Sequence, residues 1–443
     1  MNQERKQAYL NLLHQLLTCP KGKEIKIINS NLELVDAELL QVMAQSADYL
    51  TAKGQQNAAD FLLRIRSKLL KGLEISETLT SAKASSEEYQ QFLDEVLLAT
   101  NNSKGDHEVI YQLLEANLDK LDHNFIPILE TWARAKLSEA EPETAKEIAN
   151  TIWEFSTLIS DFPLGNQANN REIAIAGYQT MLRVFTNQSN PEIWAAIQNN
   201  LGNAYSDRIR GNRADNLEIA IDAYQIALEV YTKSDFPEDW ASTQNNLGIA
   251  YCERIRGDRA DNLELAIEAF QLALEVRTKS DFPIDWAMTH YNLGNAYCER
   301  IRGNRGDNLE EAIELYQLAL EVRTKPDFPE DWASTHNNLG IAYSDRIRGD
   351  RADNLEKAIA QYQLALEVYT KPDFPEEWAR TLYNLGNAYS NRIVGDTTEN
   401  LENAIACYEH ASEIFTREDF PEDWENLQGH IARLLIQLRN AIN

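Results

Sequence analysis

The chain has 443 residues and a formal net charge of −28, from 70 Asp and Glu against 42 Lys and Arg. Proteins that bind nucleic acid carry a basic surface, so this charge argues against nucleic acid as a general partner and favours a basic one. The sequence has 4 cysteines without a Cys-x-x-Cys pair and no long apolar run, which predicts free thiols, no membrane span and a cytoplasmic location.

Residues 1–73 predict a small helical domain of their own, because apolar residues recur at helical spacing. The three helical stretches are residues 4–18, 32–50 and 58–70. The inward positions predicted for the first stretch are Tyr9, Leu10, Leu13, Leu16 and Leu17. Residues 74–86, rich in Ser, Thr and Ala, are interpreted as a linker, and residues 87–144 predict further, diverged helix pairs.

A 46-residue unit repeats through the second half of the chain. Its period is marked by one tryptophan per unit, at Trp194, Trp240, Trp286, Trp332, Trp378 and Trp424. A fixed period of this length is typical of a solenoid or a propeller. Each unit has two stretches with apolar residues three and four apart and no alternation with period two, which predicts two amphipathic helices and excludes a propeller.

Local residues predict where these helices begin and end. Pro283 is expected in the first turn of a first helix, and Gly257 at the C-terminal cap of the preceding first helix. Asp261, with Glu264 three residues later, is expected to cap the start of a second helix. Ile255 is expected on the inward face of its first helix.

The unit resembles the tetratricopeptide repeat, whose pattern is Leu-Gly-x-x-Tyr on the first helix and Ala-x-x-x-Phe on the second. The matching residues are Leu247-Gly248-x-x-Tyr251 and Ala266-x-x-x-Phe270, with Tyr in place of Phe in the other copies. The family period is 34 residues, so longer helices or larger loops are expected here. The resemblance implies an all-α, right-handed superhelical solenoid of antiparallel helix pairs.

Residues 191–420 contain five copies of the unit. Residues 145–190 form a degenerate first copy, in which Phe155 and Ser156 replace the Leu and the Gly. Residues 421–443 copy a first helix with no second helix after it. Terminal repeats cover the apolar face of their neighbour, so both end segments are predicted to be caps.

The N-terminal region resembles that of bacterial proteins in which tetratricopeptide repeats precede a caspase-like CHAT protease domain. The matching residues are Gln7-Ala-Tyr-Leu-x-Leu-Leu-x-Gln-Leu-Leu17, Cys19-Pro20 and Asn57-Ala-Ala-x-Phe61-Leu62. The sequence is not expected to contain the α/β domain with a His–Cys pair that such a protease needs. This resemblance therefore implies a sensor or adaptor subunit whose CHAT protease partner lies on another chain.

The sequence predicts no enzyme, no cofactor and no metal site, because no catalytic motif, phosphate-binding loop or metal-ligand spacing is present. His290 and His336 occupy equivalent places in two repeats and are predicted to pack in the seam between helices. The repeated arginines near Gly257 are interpreted as members of ion pairs along one edge of the solenoid.

The candidate binding residues lie on the first helices, which line the concave groove in the family that the repeats resemble. One asparagine recurs beside the buried Leu, a neighbouring position alternates between Asn and Ile, and another is either Asn or Tyr. The predicted peptide-binding residues are Asn200, Asn246, Asn292, Asn338, Asn384, Asn203, Asn295, Asn387, Tyr291 and Tyr383. The first five of these are called the asparagine ladder.

An Asn amide can both donate and accept hydrogen bonds, so the ladder could hold the backbone of an extended peptide or partner protein. This resembles the asparagine ladder in the repeat domain of O-GlcNAc transferase. The alternative is that the asparagines brace neighbouring helices. Three functions therefore stay open: a peptide-binding scaffold, the adaptor of a CHAT protease, and a purely structural spacer.

Overall fold

The computed structural model of the chain describes residues 3–18, scattered positions between 27 and 65, and residues 85–442. These described residues form α-helices and short linkers, with no β-strand among them. Three predicted segments lie largely outside this description: residues 32–50, 58–70 and 74–84.

The described part of the chain contains seventeen α-helices, most of them arranged as consecutive pairs. Their bounds are α1 Gln3–Thr18, α2 Ser86–Ser103, α3 His107–Glu115, α4 Phe125–Glu139, α5 Pro142–Asp161, α6 Gln167–Met181, α7 Pro191–Ser206, α8 Arg213–Leu228, α9 Pro237–Glu253, α10 Arg259–Leu274, α11 Pro283–Glu299, α12 Arg305–Leu320, α13 Pro329–Asp345, α14 Arg351–Ala365, α15 Pro375–Ser390, α16 Thr397–Ala411 and α17 Pro421–Ile442. From α9 onward each first helix packs on the second helix that follows it. This confirms the predicted all-α solenoid of antiparallel helix pairs.

The residues divide into two compact units. The first contains Met1–Asn190 with Asp207–Asn216, and the second contains Pro191–Ser206 with Leu217–Asn443. The asparagine ladder lies entirely in the second unit, on α7, α9, α11, α13 and α15. The candidate binding face is therefore a property of that unit alone.

Helix α1 in the first unit presents an apolar stripe close to the predicted one. Tyr9, Leu13 and Leu16 are buried as expected, and Leu12 is buried as well. Leu17 is 36% exposed, so its predicted inward position is wrong. The reason is geometric: Leu12, Leu13 and Leu16 lie within about 60° of Tyr9 around the helix, whereas Leu17 lies about 80° away, at the edge of the apolar stripe.

The degenerate pair α5 and α6 packs by the same principle as the regular pairs, with the small residue on the other helix. Phe155 and Ser156 on α5 are fully buried, and Tyr178 on α6 is 3% exposed. A Cβ added at Gly177 would lie 1.9 Å from the Ser156 Oγ. Glycine at this place on α6 therefore compensates for the loss of glycine on α5.

The long period comes from long helices. In the repeat that starts at α9, the first helix has 17 residues and the second has 16. Residues 254–258 link the two helices, and residues 275–282 lead to the next repeat. The prediction of longer helices or larger loops is confirmed by the length of both helices.

The linker between first and second helix differs from the prediction. Helix α9 ends at Glu253, so Gly257 does not cap it and instead turns the linker with φ +80°. Helix α10 is capped by Asp258, whose side chain accepts a hydrogen bond from the Asp261 N–H, so the prediction of Asp261 as the cap is wrong. Ile255 lies in this linker and is 61% exposed, which also contradicts its predicted inward position.

Asp258 is the N-cap because its carboxylate reaches the N–H of Asp261, three residues later. Asp261 therefore lies inside the first helical turn. Asn262 then donates from Nδ2 to the Arg256 carbonyl at 2.8 Å and ties the linker to the second helix. At the other end of the unit, Pro283 stands at the first position of α11, as predicted.

Within each regular pair the two helices meet where an aromatic ring lies on a glycine. A Cβ added at Gly340 on α13 would lie 2.6 Å from the Tyr362 ring on α14, and Tyr362 is 2% exposed. The same contact occurs in the other regular repeats between Gly202 and Tyr224, Gly248 and Phe270, Gly294 and Tyr316, and Gly386 and Tyr408. Only a residue without a side chain allows helices to approach this closely.

We expect Gly340→Ala to lower the free energy of unfolding by about 1–3 kcal/mol, because the added methyl overpacks a buried ring. The control is Gly306→Ala on α12, where the nearest atom to an added Cβ is the Asn304 Oδ1 at 3.1 Å. Alanine already occupies the equivalent place in three other repeats. This control should gain up to about 1 kcal/mol from helix propensity. Denaturant unfolding measures both variants, and an equal effect of the two would contradict the contact.

Candidate functional site

The asparagine ladder lies at the boundary between core and solvent on each first helix. Asn246, for example, is half-buried between Asn245, which is 1% exposed, and Leu247, which is 6% exposed. The other four ladder residues are also half-buried. The amide groups therefore sit where they can contact both a neighbouring helix and an outside partner.

The ladder amides donate to the preceding first helix. Asn246 Nδ2 lies 3.0 Å from the Asn203 Oδ1, and Asn338 Nδ2 lies 3.0 Å from both the Asn295 Oδ1 and the Tyr291 hydroxyl. Two further bonds follow the same pattern: Asn292 to Asn245 and Asn384 to Asn337, each at 3.3 Å. The donor half of these four amides thus braces one repeat against the previous one.

The acceptor half of the ladder is more open. Within residues 85–442 the Oδ1 atoms of Asn246, Asn292 and Asn384 accept no hydrogen bond, and Asn200 makes no side-chain hydrogen bond at all. The Asn338 Oδ1 is different, because it accepts from the Asn337 Nδ2 at 3.1 Å. The ladder therefore combines a bracing role with a row of available carbonyl oxygens.

At the place that alternates between Asn and Ile, each Asn accepts a hydrogen bond from the second helix of its own repeat. The Tyr224 hydroxyl donates to the Asn203 Oδ1 at 2.8 Å. Equivalent bonds join Tyr316 to Asn295 and Tyr408 to Asn387, both at 2.7 Å. Ile249 shares its repeat with Phe270, which has no hydroxyl, but Ile341 shares its repeat with Tyr362, which has one. Asn203, Asn295 and Asn387 are thus already engaged as acceptors.

The two tyrosines of the candidate set also form contacts between repeats. The Tyr291 hydroxyl accepts the bond from Asn338, and the Arg323 guanidinium carbon lies 4.5 Å from the centre of the Tyr291 ring. The Tyr383 hydroxyl lies 3.4 Å from the His430 Nε2. Both tyrosines remain half-buried, so part of each ring faces solvent beside the ladder.

Two buried arginines at the centre of the solenoid were missed by the sequence analysis. Arg277 is 5% exposed and Arg323 is 7% exposed. Arg277 donates to the Thr289 Oγ1 at 2.9 Å and to the Ser242 Oγ at 3.1 Å, and it lies 3.3 Å from an Asp285 oxygen. Burial lowers the pKa of Arg277, while the Asp285 carboxylate opposes this.

A signal for these arginines was present in the sequence. Arg277 and Arg323 stand where the neighbouring repeats have Tyr231 and Tyr369, which are buried aromatic residues. A charged residue at a place that is aromatic in other copies indicates a buried ion pair, because an unpaired buried charge is strongly destabilising. Arg323 accordingly lies 3.1 Å from an Asp331 oxygen.

The histidines pack in the helix seam as predicted. His290 and His336 are 7% and 8% exposed, and their rings lie 4.1 Å from Trp286 and 4.4 Å from Trp332. Burial lowers the pKa of both imidazoles, which favours their neutral form. The part of the chain that the structure describes contains no group of acidic, His or Cys side chains that could hold a metal ion.

The interpretation of the edge arginines as ion-pair partners is confirmed. Arg254 in the linker of one repeat contacts both carboxylate oxygens of Glu218 on the second helix of the previous repeat, at 2.8 and 2.6 Å. The same pairing joins Arg300 to Glu264, Arg346 to Glu310 and Arg392 to Glu356. The hydrogen bond from Arg254 lowers the pKa of Glu218.

The three cysteines of the described residues have surroundings that disfavour reactivity. Cys252, Cys298 and Cys407 form no disulfide. Burial raises the pKa of Cys252 to about 12 and that of Cys407 to about 11, which disfavours the reactive thiolate. Among the helices described, none combines the length and the apolar character that a membrane span requires.

Comparison with known proteins gives one family match. The family model of the soluble NSF attachment proteins (SNAP) matches residues 306–442. This range covers the last repeats and α17 but less than half of the chain, so it is a likeness and not a family assignment. A comparison with curated protein sequences finds no match.

Several solved structures of helical repeat proteins are similar. They include the C-terminal part of a TPR repeat-containing protein from Cytophaga hutchinsonii, with 13% identity, TM-score 0.37 and coverage of 64% of this chain and 95% of that one. The Cut9–Hcn1 hetero-tetramer of the APC/C has 16% identity, TM-score 0.45 and coverage of 98% and 73%. A Rap protein complexed with competence and sporulation factor has 12% identity, TM-score 0.41 and coverage of 91% and 100%. With TM-scores below 0.5, these likenesses add nothing to what the helix packing shows.

We expect Asn338→Ala to lower the free energy of unfolding by about 1–3 kcal/mol, because two hydrogen bonds between repeats are lost. Asn200→Ala is the matched control on the same helix position, since Asn200 makes no such bond among the described residues. It should change the free energy of unfolding by less than about 0.5 kcal/mol. Denaturant unfolding compares the two variants. Equal costs would show that the ladder does not brace the repeats.

Proposed function

We propose that the first-helix face of the second unit binds an extended segment of a partner protein along the asparagine ladder. The observation that carries the proposal is the row of open Oδ1 acceptors at Asn200, Asn246, Asn292 and Asn384. Most of their amide nitrogens already donate to the preceding repeat. The row therefore offers a peptide hydrogen-bond acceptors but few donors. The expected ligand groups are therefore backbone N–H groups.

The spacing of the repeats fits such a ligand. Packed helices lie about 8–10 Å apart. A polyproline II chain has three residues per turn and advances about 9 Å in that turn, so every third N–H faces the same side and can meet the next ladder residue. From Asn200 to Asn384 the face would hold about a dozen peptide residues at this spacing. Tyr291 and Tyr383 add apolar contact beside the track.

The charge of the chain favours a basic ligand. A net charge of −28 attracts cationic segments over long range and accelerates their association. Buried Arg277 and Arg323 are neutralised by Asp285 and Asp331 and do not offset this charge at the face. Binding should weaken as salt rises, because the Debye length shortens to about 8 Å at physiological ionic strength.

The second candidate function, an adaptor for a CHAT protease on another chain, is supported by the N-terminal resemblance alone. Of the residues that carry this resemblance, those on α1 are described and most others lie outside the described residues. Capture of one caspase-like protein through residues 1–73, with the ladder face dispensable, would favour this candidate. Selection of many short basic peptides by the second unit favours the first.

The test is selection of random peptides about a dozen residues long on the whole chain, followed by affinity measurement on variants. Changing Asn246, Asn292 and Asn384 together to Ala removes both the braces and the acceptors. Changing the same three residues to Asp removes the braces but keeps an acceptor oxygen at each place. We expect the Ala variant to bind about 10- to 2,000-fold more weakly, from about 0.5–1.5 kcal/mol for each of the three lost bonds.

The Asp variant is the matched control. If open acceptors hold the peptide, it should retain binding or bind basic peptides more tightly than the unchanged chain. Equal losses in the Ala and Asp variants would show that the asparagines matter only through the fold. Unchanged affinity in both, with the fold intact by circular dichroism, would place the ligand elsewhere and contradict the proposal.

A further inference from the structure

Helix α17 leaves two large apolar side chains in solvent. Leu435 is 50% exposed and Ile436 is 64% exposed. On the opposite side of the helix, Leu427 and Leu434 are 0% and 5% exposed and pack into the core cluster of the last repeat. The helix is thus apolar on two faces, of which only one is covered within the described residues.

The repeat register identifies the uncovered face. Ala432 and Ile436 on α17 stand where Gly294 and Cys298 stand on α11. In that repeat a Cβ added at Gly294 would lie 2.8 Å from the Tyr316 ring, and the Tyr316 hydroxyl lies 3.6 Å from the Cys298 Sγ. Tyr316 belongs to α12, so this is the face that a second helix covers. No helix takes that place on α17 in the part of the chain that the structure describes.

The charges of α17 are divided between its two ends. Its first turns carry Glu422, Asp423 and Glu425, whereas Arg433 and Arg439 lie in a C-terminal half without any acidic residue. Another α17 placed antiparallel would set the basic half of each helix on the acidic half of the other. Antiparallel helix dipoles add to this attraction.

The exposed face of α17 also has large and small side chains at equal distances on either side of Ala432, so two antiparallel copies would fit together. Glu425 and Arg439 lie seven residues on either side of Ala432, and Gly429 and Leu435 lie three residues on either side. A Cβ added at Gly429 would meet no atom within 4 Å, so the helix is open there. In an antiparallel pair centred at Ala432, each glutamate meets an arginine and each large Leu435 meets a glycine.

The same face has the spacing of a helix–helix seam. Steps of four and three residues join Glu425, Gly429, Ala432, Ile436 and Arg439. This is the heptad spacing with which two helices interlock. A two-fold axis makes such an interface self-complementary, since each residue contact occurs twice.

We propose that two copies of this chain associate through α17, packed antiparallel about a two-fold axis at Ala432. The second copy supplies the helix that covers Ala432, Leu435 and Ile436. A contact between two helices is small, below about 1,200 Å² in total, so the dimer is of the transient class. This proposal does not depend on peptide binding along the asparagine ladder, because α17 lies beyond the last ladder residue.

Sedimentation of the full chain tests the association, from about 1 to about 200 µM, because transient complexes dissociate in this range. The average mass should rise from 50.5 kDa toward twice that value. Ile436→Glu should weaken association at least about 10-fold, since a carboxylate would be buried without a partner. A chain that stays monomeric over the whole range would overturn the proposal.

Ile347→Glu is the matched control, because Ile347 is 65% exposed but lies in a linker far along the sequence from α17. It should associate as the unchanged chain does. If this variant lost association while Ile436→Glu kept it, the interface would lie on the linker edge and not on α17.

Charge reversal tests the antiparallel register without relying on the apolar residue. Glu425→Arg alone and Arg439→Glu alone should each weaken association. Each change puts like charges at positions 425 and 439, which face each other at two places in the dimer. The double variant should restore it, since the pairs are re-formed with reversed sign. Circular dichroism and thermal melting would verify that each variant is folded. Failure of the double variant to recover association would overturn the proposed register.

Discussion

The structure depends on one contact, an aromatic ring that lies against a glycine where the two helices of a repeat meet. Gly248 with Phe270 and Gly340 with Tyr362 illustrate it, and the rings are 1% and 2% exposed. The short separation lets buried alanines such as Ala266 and Ala358 fill the seam. In the pair α5 and α6 the glycine stands on the second helix instead, where Gly177 lies against Ser156.

Successive repeats are joined by a second set of contacts, which are polar. Arg254 binds Glu218 at one edge, and Asn246 binds Asn203 on the first-helix face. Since each repeat of a solenoid contacts only its neighbours, these bonds add to the apolar clusters that also span successive repeats. The same asparagines line the proposed binding face, so one amide group supports the scaffold with its nitrogen and offers its oxygen to a ligand. A ligand bound along several repeats would stabilise them together.

The sequence predicted the architecture because apolar spacing and the 46-residue period are local and repeated signals. It was less successful at helix ends, where Asp258, Asp261 and Asn262 are all good capping residues and only the structure shows which one is used. Ile255 shared the helical spacing but lies beyond the end of α9, so its exposure could not be read from periodicity.

The sequence indicated candidate binding residues, but it did not indicate the hydrogen bonds that these residues form. The partners of the ladder asparagines lie 43 or 47 residues earlier, and no local pattern identifies them. The sequence does not reveal the pairing of Asn295 with Tyr316, because the repeat with Ile341 in place of Asn still carries a hydroxyl at Tyr362. The bracing role of the nitrogens and the openness of the oxygens follow only from the packed first helices.

Hydrogen–deuterium exchange of the chain, with and without a selected peptide, tests the central claim most directly. We expect slower exchange in α7, α9, α11, α13 and α15, since the proposed peptide backbone would lie along these first helices and couple them. The second helices α10, α12, α14 and α16 should change less, and α2 to α6 should not change. Protection confined to the second helices or to the first unit, with no change in the first helices that carry the asparagine ladder, would contradict binding along the ladder.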